Sequence, residues 1–492
     1  MNRLSFDDIK LCCKYNVVFL SDKQHIGHCG LSSDTRYKIR KFYKRKIRFV
    51  RISEKYRNAI LQKYLIKYST CIPENFCTAQ NPKYKNIILF VIILLICYLA
   101  NFFGNVGVYL LNLIYFLYYT MKFITIFACH KSTHNKNSSK IEKYPVYSII
   151  IPLYKESHMV HSILNSVYSL EYPKNMLDVL VVLEEDDAET IEVVTQYQSE
   201  RHFRSIIVPN SIPRTKSKAC KYALPFVKGE LLTIYDAEDI PEKDQLIKVS
   251  EVFMNNKDLF CVQCRLNFYN KEHNLLTKLL SIEYKIHFDF FLQSLANLAL
   301  IVPLGGTSNH FNVHMLTQQN NWDPYNVTED ADIAVRYYKP RYITISNSYT
   351  YEESVYSLHA WIKQRSRWIK GFLQTFCTHS KEILQENDIK KQISFLMLFG
   401  IPNLIILTSP FVLFHNILYG YNSLYTAMNL LCFYITEVVL VIFVHKNLRN
   451  ILIYLLYPVY LTFFLPVASY VALYSLYRNP YYWSKTEHTG KR

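Results

Sequence analysis

Long apolar runs constrain the fold of this chain more than any other feature of its sequence. Two of them, at residues 87–103 and 108–128, come before a long mixed segment. Each is close to the roughly 20 residues that a helix needs to cross a bilayer. The short polar break between them predicts a helical hairpin, which would return the chain to its starting side. Three more apolar runs follow the mixed segment, at residues 393–418, 424–444 and 451–476.

The charge of the chain is separated from its apolar residues. The sequence is 50% hydrophobic and yet carries a formal net charge of +17, and residues 1–86 hold 19 Lys and Arg against 6 Asp and Glu. Basic segments beside apolar runs favour the anionic cytoplasmic face of a membrane. A nucleic-acid surface is the alternative, but no recognisable nucleic-acid module accompanies the charge. We therefore predict no nucleic-acid partner, and we expect residues 1–86 to be loosely structured or helical and of unassigned role.

Basic residues beside the apolar runs also predict the topology. Residues 130–143 and 445–449 are basic and are expected on the cytoplasmic side. If each later run crosses the membrane once, the tail at 478–492 lies outside, although its Lys and Arg residues favour the inside. The sequence therefore leaves the number of downstream spans open. The first twenty residues lack the apolar h-region of a signal peptide, and none is expected.

The cysteine pattern points to reduced thiols. The 12 cysteines are scattered along the chain, several of them within apolar runs. Cys261 and Cys264 form a Cys-x-x-Cys sequence, but the chain has no second such pair. The cysteine pattern therefore predicts no cysteine-ligated metal site, and it fits a protein in a reducing compartment or a membrane.

The mixed segment from about residue 145 alternates between two periodicities. Buried strands are predicted at residues 146–153, 177–183, 204–208 and 231–235, with helices at 159–170, 188–201 and 215–224 between them. Acidic residues stand where several strands end. Ligands of such α/β sheets bind beyond the carboxyl ends of the strands. The segment is therefore predicted to be a nucleotide-binding α/β domain.

The sharpest acidic cluster follows the strand at 231–235. Asp236, Glu238 and Asp239 alternate at its end, so their oxygen atoms can converge on a hard divalent cation. Such a cation can hold a diphosphate. The alternative is a solvated acidic turn, or a cap for a helix that begins near Glu242.

The mixed segment also contains seven short motifs in one order. They are Ile151-Pro-Leu-Tyr-Lys-Glu156, Glu184-Glu-Asp-Asp187, Thr215-Lys-Ser-Lys218, Asp236-Ala-Glu-Asp239, Gly305-Gly-Thr-Ser-Asn309, Thr328-Glu-Asp330 and Gln364-Arg-Ser-Arg-Trp368. This series resembles the membrane-embedded family-2 glycosyltransferases, the group of the bacterial cellulose and hyaluronan synthases, and is most similar to their exopolysaccharide-synthase branch. The resemblance covers about residues 144–378 and the closing segment 479–488.

The resemblance implies a fold and a division of the chain. The fold is an α/β GT-A-type cytosolic domain inserted between transmembrane α-helices. The expected divisions are a basic cytoplasmic region at 1–86, a transmembrane hairpin at 87–128, the GT-A-type domain with interface helices at 144–378, transmembrane helices at 393–477, and a tail at 478–492.

The resemblance also implies site residues. Asp330 would be the catalytic base, with Mg²⁺ or Mn²⁺ held by Asp236 and Glu238, and Asp239 as an alternative second ligand. The donor nucleotide would contact Pro152, Tyr154, Glu156, Asp187, Lys218 and Asp236. The acceptor and diphosphate would contact Gly306, Thr307, Glu329, Gln364, Arg367 and Trp368.

Two of these assignments have ordinary structural alternatives. Asn326 with Glu329 could cap the helix that follows, which leaves Asp330 free for catalysis. Gln364, Arg367 and Trp368 stand at i, i+3 and i+4 and share one helix face, whereas Arg365 is expected to point elsewhere. That face could bind sugar and diphosphate, or it could belong to an amphipathic interfacial helix.

The function expected from the resemblance is an inverting, processive transfer of hexosyl units. The donor would be a UDP-sugar, and the acceptor a growing polysaccharide or glycolipid at the bilayer. The location would be the bacterial inner membrane, multi-pass, with a cytoplasmic catalytic domain and with partner subunits for export. The alternatives are a non-processive transferase with a lipid or lipid-phosphate acceptor, and an inactive membrane scaffold.

Overall fold

The structure is a computed structural model of the chain. It describes residues 4–20, 24–44, 47–72, 77–80, 104–127, 143–197, 203–318, 321–419, 423–445, 451–483 and 485–486. The first predicted span, at 87–103, lies outside these residues, as do nearly all of the predicted basic segments at 130–143 and 445–449.

The first 70 residues form a small α/β module. Its helices are α1 Phe6–Tyr15, α2 Ser33–Tyr43 and α3 Glu54–Thr70, and its strands are β1 Val17–Phe19, β2 His25–His28 and β3 Arg48–Arg51. Strand β1 pairs antiparallel with β2, and β2 pairs parallel with β3. Cys12, Phe19 and Ile26 belong to a buried core of this module. The helical part of the expectation agrees with these helices, but the three strands were not predicted, because strands of three or four residues carry too little periodicity to be read from the sequence.

An eight-stranded mixed sheet forms the centre of the molecule, in the order β6-β5-β4-β7-β10-β9-β11-β8. Its strands are β4 Tyr147–Leu153, β5 Leu177–Glu184, β6 Phe203–Val208, β7 Leu231–Ile234, β8 Ile240–Pro241, β9 Cys261–Phe268, β10 Asn309–Asn312 and β11 Ile343–Glu352. The first four in that order are mutually parallel, and β10 is antiparallel to both of its neighbours. The carboxyl ends of β4, β5 and β7 therefore meet at one edge.

Both faces of the sheet are buried, which explains the continuous apolar runs of its strands. Ile150 packs into one core together with Leu232, whereas Ile149 and Ile151 pack into a second core on the opposite face. Successive side chains point to opposite faces of a strand, so one run of isoleucines serves two cores. This double burial fixes the strand ends on which the polar residues stand.

Helices cover the sheet and lead out of it. They are α5 Val160–Tyr168, α6 Ala188–Gln196, α7 Lys216–Ala223, α8 Gln245–Asn255, α9 Leu275–Tyr284, α10 Leu292–Asn297, α11 Val313–Gln318, α12 Glu329–Arg336 and α13 Leu358–Gln385. A π-helical segment, Lys285–Phe291, joins α9 to α10.

The remaining described helices are strongly apolar, except for the short α14, which carries two lysines. They are α4 Gly104–Phe127, α14 Ile389–Phe395, α15 Ile401–Tyr419, α16 Ser423–His445 and α17 Ile451–Arg478, with a π-helical segment Leu396–Gly400 between α14 and α15. Among the described residues, Ile389–Val412 and Ile451–Arg478 are long and apolar enough to cross a membrane. Core helices of soluble proteins also pass this test, so membrane insertion remains a prediction. Helix α17 continues through Pro458 and Pro466 as one element.

Helix α13 packs against α17. The Trp361 side chain of α13 is fully buried, and its ring centroid lies 5.3 Å from that of Tyr460. Trp361 is therefore a core residue in this structure, rather than a member of an aromatic belt.

Candidate active site

A cavity of about 930 Å³ opens where the parallel strands of the large sheet end. This volume is within the range of small-molecule sites, roughly 300–1,000 Å³. Most of the site residues predicted from the sequence line it: Pro152, Tyr154, Glu156, Asp236, Glu238, Gly306, Thr307, Glu329, Asp330, Gln364, Arg367 and Trp368. Asp187, Lys218 and Asp239 are not among the lining residues.

The structure places Asp187 outside the set of residues that line the cavity. Its carboxylate accepts hydrogen bonds from the main-chain N–H groups of Lys155 and Thr190, so it fixes the backbone instead of facing the cavity. Arg214, which the sequence analysis did not name, does line the cavity. Its guanidinium donates to the Tyr154 hydroxyl at 3.0 Å. Tyr154 and Arg214 therefore form the polar wall on this side.

The structure places Lys216, rather than Lys218, among the residues that line the cavity. Lys218 is fully buried, and its ammonium contacts Glu184 Oε2 at 3.1 Å. Lys216 lines the cavity instead, where its ammonium lies 2.5 Å from Asp236 Oδ1 and donates to the Gly306 carbonyl oxygen at 2.6 Å. Burial lowers the pKa of Lys216, but Asp236 and Glu329 outweigh it and raise that pKa above its usual range. Lys216 is therefore the cationic lysine of the site.

Three carboxylates face the cavity from two strand ends: Asp236, Glu238 and Glu352. Burial, with a smaller contribution from Asp236, raises the pKa of Glu238 to about 8. Burial, and then Glu238 and Asp236, raise the pKa of Glu352. The sequence analysis did not name Glu352, although it is the last residue of β11. Asp236 has a similar place, two residues after the end of β7.

Asp239 lies beneath this cluster. It is 1% exposed, and its Oδ2 atom accepts hydrogen bonds from Asp236 N at 2.6 Å and from the Thr307 hydroxyl. Its Oδ1 atom has no hydrogen-bond partner among the described residues. The geometry therefore assigns Asp239 to the support of the Asp236 backbone, while Glu238 points toward the cavity.

The acidic cluster fits a hard divalent cation. Its donor atoms are carboxylate oxygens, which Mg²⁺ and Mn²⁺ prefer. Burial first, and then the neighbouring carboxylates, raise the pKa values of Glu238 and Glu352 and so disfavour their ionised forms. A bound cation would supply positive charge that favours those forms.

Asp330 stands in the first turn of α12, within the cavity. Its Oδ1 atom accepts a hydrogen bond from Ala331 N at 2.8 Å. A Cβ atom added to Gly306 would lie 3.5 Å from Asp330 Oδ2, so the glycine backbone passes close to this carboxylate. Burial raises the pKa of Asp330, whereas Lys216 and Arg367 lower it. Asp330 is therefore a half-buried carboxylate with one oxygen fixed by the backbone.

The capping arrangement expected from Asn326 and Glu329 is wrong. Thr328 occupies the N-cap position of α12, and no side chain makes a capping hydrogen bond there. The Asn326 side chain instead accepts from Thr328 N at 3.0 Å and donates to Thr375 Oγ1 at 2.9 Å. Glu329 lines the cavity, and burial together with Asp330 raises its pKa to about 7.

Helix α13 contributes one wall of the cavity. Gln364, Arg367 and Trp368 all line it, as their spacing predicts. Arg365 lines it too, against the expectation that it points elsewhere. Its guanidinium makes two hydrogen bonds to the Glu283 carboxylate, at 2.7 and 2.9 Å, and lies 4.2 Å from the centre of the Trp368 ring. The Arg365 guanidinium therefore stabilises the position of the Trp368 ring.

The segment after α17 closes another side of the cavity, which the sequence analysis did not assign. Trp483 and Lys485 line the cavity. The Lys485 ammonium lies 3.0 Å from Glu156 Oε1 and donates to the Lys155 carbonyl oxygen at 2.9 Å. The Arg367 guanidinium lies 5.7 Å from the centre of the Trp483 ring. The tail is thus joined to both the first strand end and α13.

Helix α13 anchors this tail through two buried polar side chains. The Lys370 ammonium donates to the carbonyl oxygens of Asn479 at 2.7 Å and Tyr482 at 3.1 Å. Gln374 donates to the Pro480 carbonyl oxygen at 2.9 Å. These bonds fix three of the four residues 479–482, and Tyr482 also lines the cavity, so the tail is part of the cavity wall.

Comparison with known proteins agrees with this site. Residues 145–371 match the model of the family described as "Glycosyltransferase like family 2". "Probable glycosyltransferase YdaM" from Bacillus subtilis (strain 168) is 24% identical over 387 residues, which cover 73% of this chain and 91% of that protein. The segment that forms the large mixed sheet is therefore similar in sequence to family 2 glycosyltransferases.

Solved structures with a similar chain course have low sequence identity. The mannosyltransferase PcManGT from Pyrobaculum calidifontis, in complex with GDP-Man and Mn²⁺, is 16% identical with a TM-score of 0.47, covering 75% of this chain and 98% of its own. S. aureus TarS 1-349 is 14% identical with a TM-score of 0.36, covering 68% and 91%.

Proposed function

We propose that this chain is an inverting, metal-dependent glycosyltransferase that moves a hexosyl unit from a UDP-sugar to a hydroxyl of a growing polysaccharide. The single observation that carries the proposal is the position of Asp330. Its carboxylate adjoins the Gly306 backbone in one cavity with the acidic cluster and the α13 face. A base, a cation site and a sugar-stacking wall are the parts that such a transfer needs.

The chemistry follows from these placements. Asp330 accepts the proton of the acceptor hydroxyl as its oxygen forms a bond to the anomeric carbon. The bond from that carbon to the diphosphate breaks, and its electron pair leaves with the diphosphate. Lys216 and Arg367 supply positive charge around the cavity for this leaving group. Trp368 offers a flat ring on which a sugar can stack.

A divalent cation would be held by Asp236 and Glu238. When bound, it neutralises charge on the departing diphosphate. Asp239 keeps the Asp236 backbone in position through the hydrogen bond to its N–H group.

The two roles proposed for Glu238 and Asp239 predict different losses. Glu238→Gln is expected to lower sugar transfer by about 100-fold, because it weakens cation binding. Asp239→Ala is expected to cost about 1–3 kcal/mol of folding stability, because it leaves buried donors without an acceptor. Mn²⁺ titrations of activity and thermal unfolding curves separate the two effects. If Asp239→Ala raised the Mn²⁺ requirement and Glu238→Gln did not, Asp239 would be the second ligand.

The acid side of the pH profile is expected to report Asp330. The base must be ionised, and burial raises its pKa, so kcat/KM should rise with pH through a value above the usual range of an aspartate. Lys216 lowers that pKa. Lys216→Met should therefore shift the acid limb of the kcat/KM profile to higher pH, independently of its effect on the maximal rate. Glu329→Gln serves as the control for the neighbouring carboxyl group, and an unmoved limb in Lys216→Met would contradict the assignment.

The tail also bears on membrane topology. Tyr482, Trp483, Lys485 and Thr486 line the catalytic cavity, so the tail and the domain would lie on the same side of any bilayer. An even number of the three helices α15, α16 and α17 would then cross it completely. The contact between tail and domain therefore supports a cytoplasmic tail over three single spans. We propose a multi-pass protein of the bacterial inner membrane on this basis.

Nucleotide release by the purified full chain tests the proposed function. UDP-glucose, UDP-N-acetylglucosamine, UDP-galactose and UDP-glucuronate would be supplied with Mg²⁺ or Mn²⁺ in nanodiscs. We expect metal-dependent UDP release with one of them and a product whose length grows with time. A product of one fixed length on a lipid would replace the polysaccharide acceptor by a lipid acceptor. Absence of release with every donor, from folded protein, would overturn the proposal.

A further inference from the structure

Cys77, His379 and Glu382 meet outside the set of residues that line the cavity. One potential ligand atom from each lies within 4.8 Å of the others, and the distance from Cys77 Sγ to Glu382 Oε2 is 3.3 Å. His379 and Glu382 are three residues apart on α13, so they share a face. We propose that these three side chains bind a divalent transition-metal ion of the zinc type, separate from the cation of the active site.

The donor set and its spacing support this proposal. A thiolate, an imidazole and a carboxylate are the ligand types that Zn²⁺ uses in proteins. With metal–ligand distances of about 2.0–2.3 Å, donor atoms of a tetrahedral site lie roughly 3.3–3.8 Å apart. The distance from Cys77 to Glu382 already falls in this range, and the third donor needs to move by about 1 Å.

A carboxylate orients the histidine, as is usual at metal sites. Asp332 Oδ1 contacts His379 Nε2 at 2.8 Å, which leaves Nδ1 as the ligand atom. Arg336 lies close by, but Asp332 and Asp323 both pair with it. The local positive charge is therefore already balanced.

The contact between Cys77 and Glu382 marks the place of the ion. The thiol donates a hydrogen bond to Glu382 Oε2 at 3.3 Å, so its proton lies between the two proposed ligand atoms. Metal binding would displace this proton, because a thiol binds a metal ion as the thiolate.

The ion would join parts of the chain that are distant in sequence. The segment that begins at Cys77 contacts Asp323 through Thr78 Oγ1 at 3.2 Å and through Ala79 N at 2.7 Å. A metal at Cys77 would attach this segment to α13, which carries the Gln364-to-Trp368 wall. We therefore assign the ion a structural role.

Cobalt substitution of the full-length protein tests the site. Co²⁺ bound to a thiolate absorbs strongly in the near ultraviolet, and the proposed active-site cation has oxygen ligands, so it does not give this band. We expect the band with about one Co²⁺ per chain, displaced by Zn²⁺. It should disappear in Cys77→Ser and persist in Cys71→Ser, the matched control at an exposed cysteine of the same region.

A second pair of variants guards against misfolding. His379→Gln and Glu382→Gln should each weaken Co²⁺ affinity by about 10-fold or more, in proteins whose circular dichroism matches that of the wild type. Absence of the thiolate band in the wild-type protein would overturn the proposal. So would a band that survives Cys77→Ser.

Discussion

Asp330→Asn is expected to reduce sugar transfer by about 10²–10⁴-fold, the usual contribution of a general base. The amide has the shape of the carboxylate but cannot accept the acceptor's proton. Donor binding should stay within about threefold of the wild type, because the diphosphate groups are assigned to Lys216 and Arg367. UDP release measures the first quantity, and calorimetric titration with UDP and Mn²⁺ measures the second.

Asp244→Asn is the matched control for this substitution. Asp244 also stands at the start of a helix, but it is exposed and pairs with Lys248 outside the cavity. It should transfer sugar at the wild-type rate. Equal activity of Asp330→Asn and the wild type would remove Asp330 from the role of base.

Gly371→Ala is expected to abolish most activity through a steric conflict. A Cβ atom at Gly371 would lie 2.1 Å from Thr328 Oγ1 and 2.5 Å from Thr328 Cγ2, which are impossible contacts. Thr328 directly precedes Glu329 and Asp330, and Gln374 Oε1 holds Val327 N at 3.1 Å, so the loop has little room to retreat. Overpacking of this kind costs about 1–3 kcal/mol and displaces the base. UDP release and thermal unfolding measure both consequences.

Rescue by a second substitution makes this prediction specific. Thr328→Ala removes the two atoms that clash most, so the double variant should recover part of the lost activity. Gly30→Ala is the control, because a Cβ atom there meets no other atom within 4 Å. A fully active Gly371→Ala enzyme would show that the close packing of α13 on this loop has no part in catalysis.

The sequence predicted those parts of the fold that local patterns encode. Strands β4, β5 and β7 are apolar runs followed by polar residues, and the edge at which they end could be inferred from parallel topology. Asp236, Asp330 and the face of Gln364, Arg367 and Trp368 followed from short motifs. Their presence in one cavity agrees with that reasoning.

The positions of the two lysines around helix α7 explain why Lys216, and not Lys218, lines the cavity. Two residues correspond to about 200° around a helix, so the two lysines point to nearly opposite sides of α7. The motif names both lysines, and the packing of α7 decides which one faces the cavity. Lys218 contacts Glu184, whereas Lys216 contacts Asp236.

Long-range contacts explain the other differences. Gln263 in β9 is a fully buried polar residue whose side chain bonds to the main chain of Gly305 and Thr307, and no local pattern reveals such partners. The tail is held at the cavity by Lys370 and Gln374, among others, and these two residues are more than 100 residues away from it in sequence. The Cys77 cluster is hidden for the same reason.

A structure of the full-length protein with UDP and Mn²⁺ tests the central claim most directly. The account predicts diphosphate and Mn²⁺ density in the cavity, with the ion at Asp236 and Glu238 and the phosphate groups toward Lys216 and Arg367. Density for UDP and Mn²⁺ at another place on the protein, with this cavity empty at saturating ligand, would contradict it.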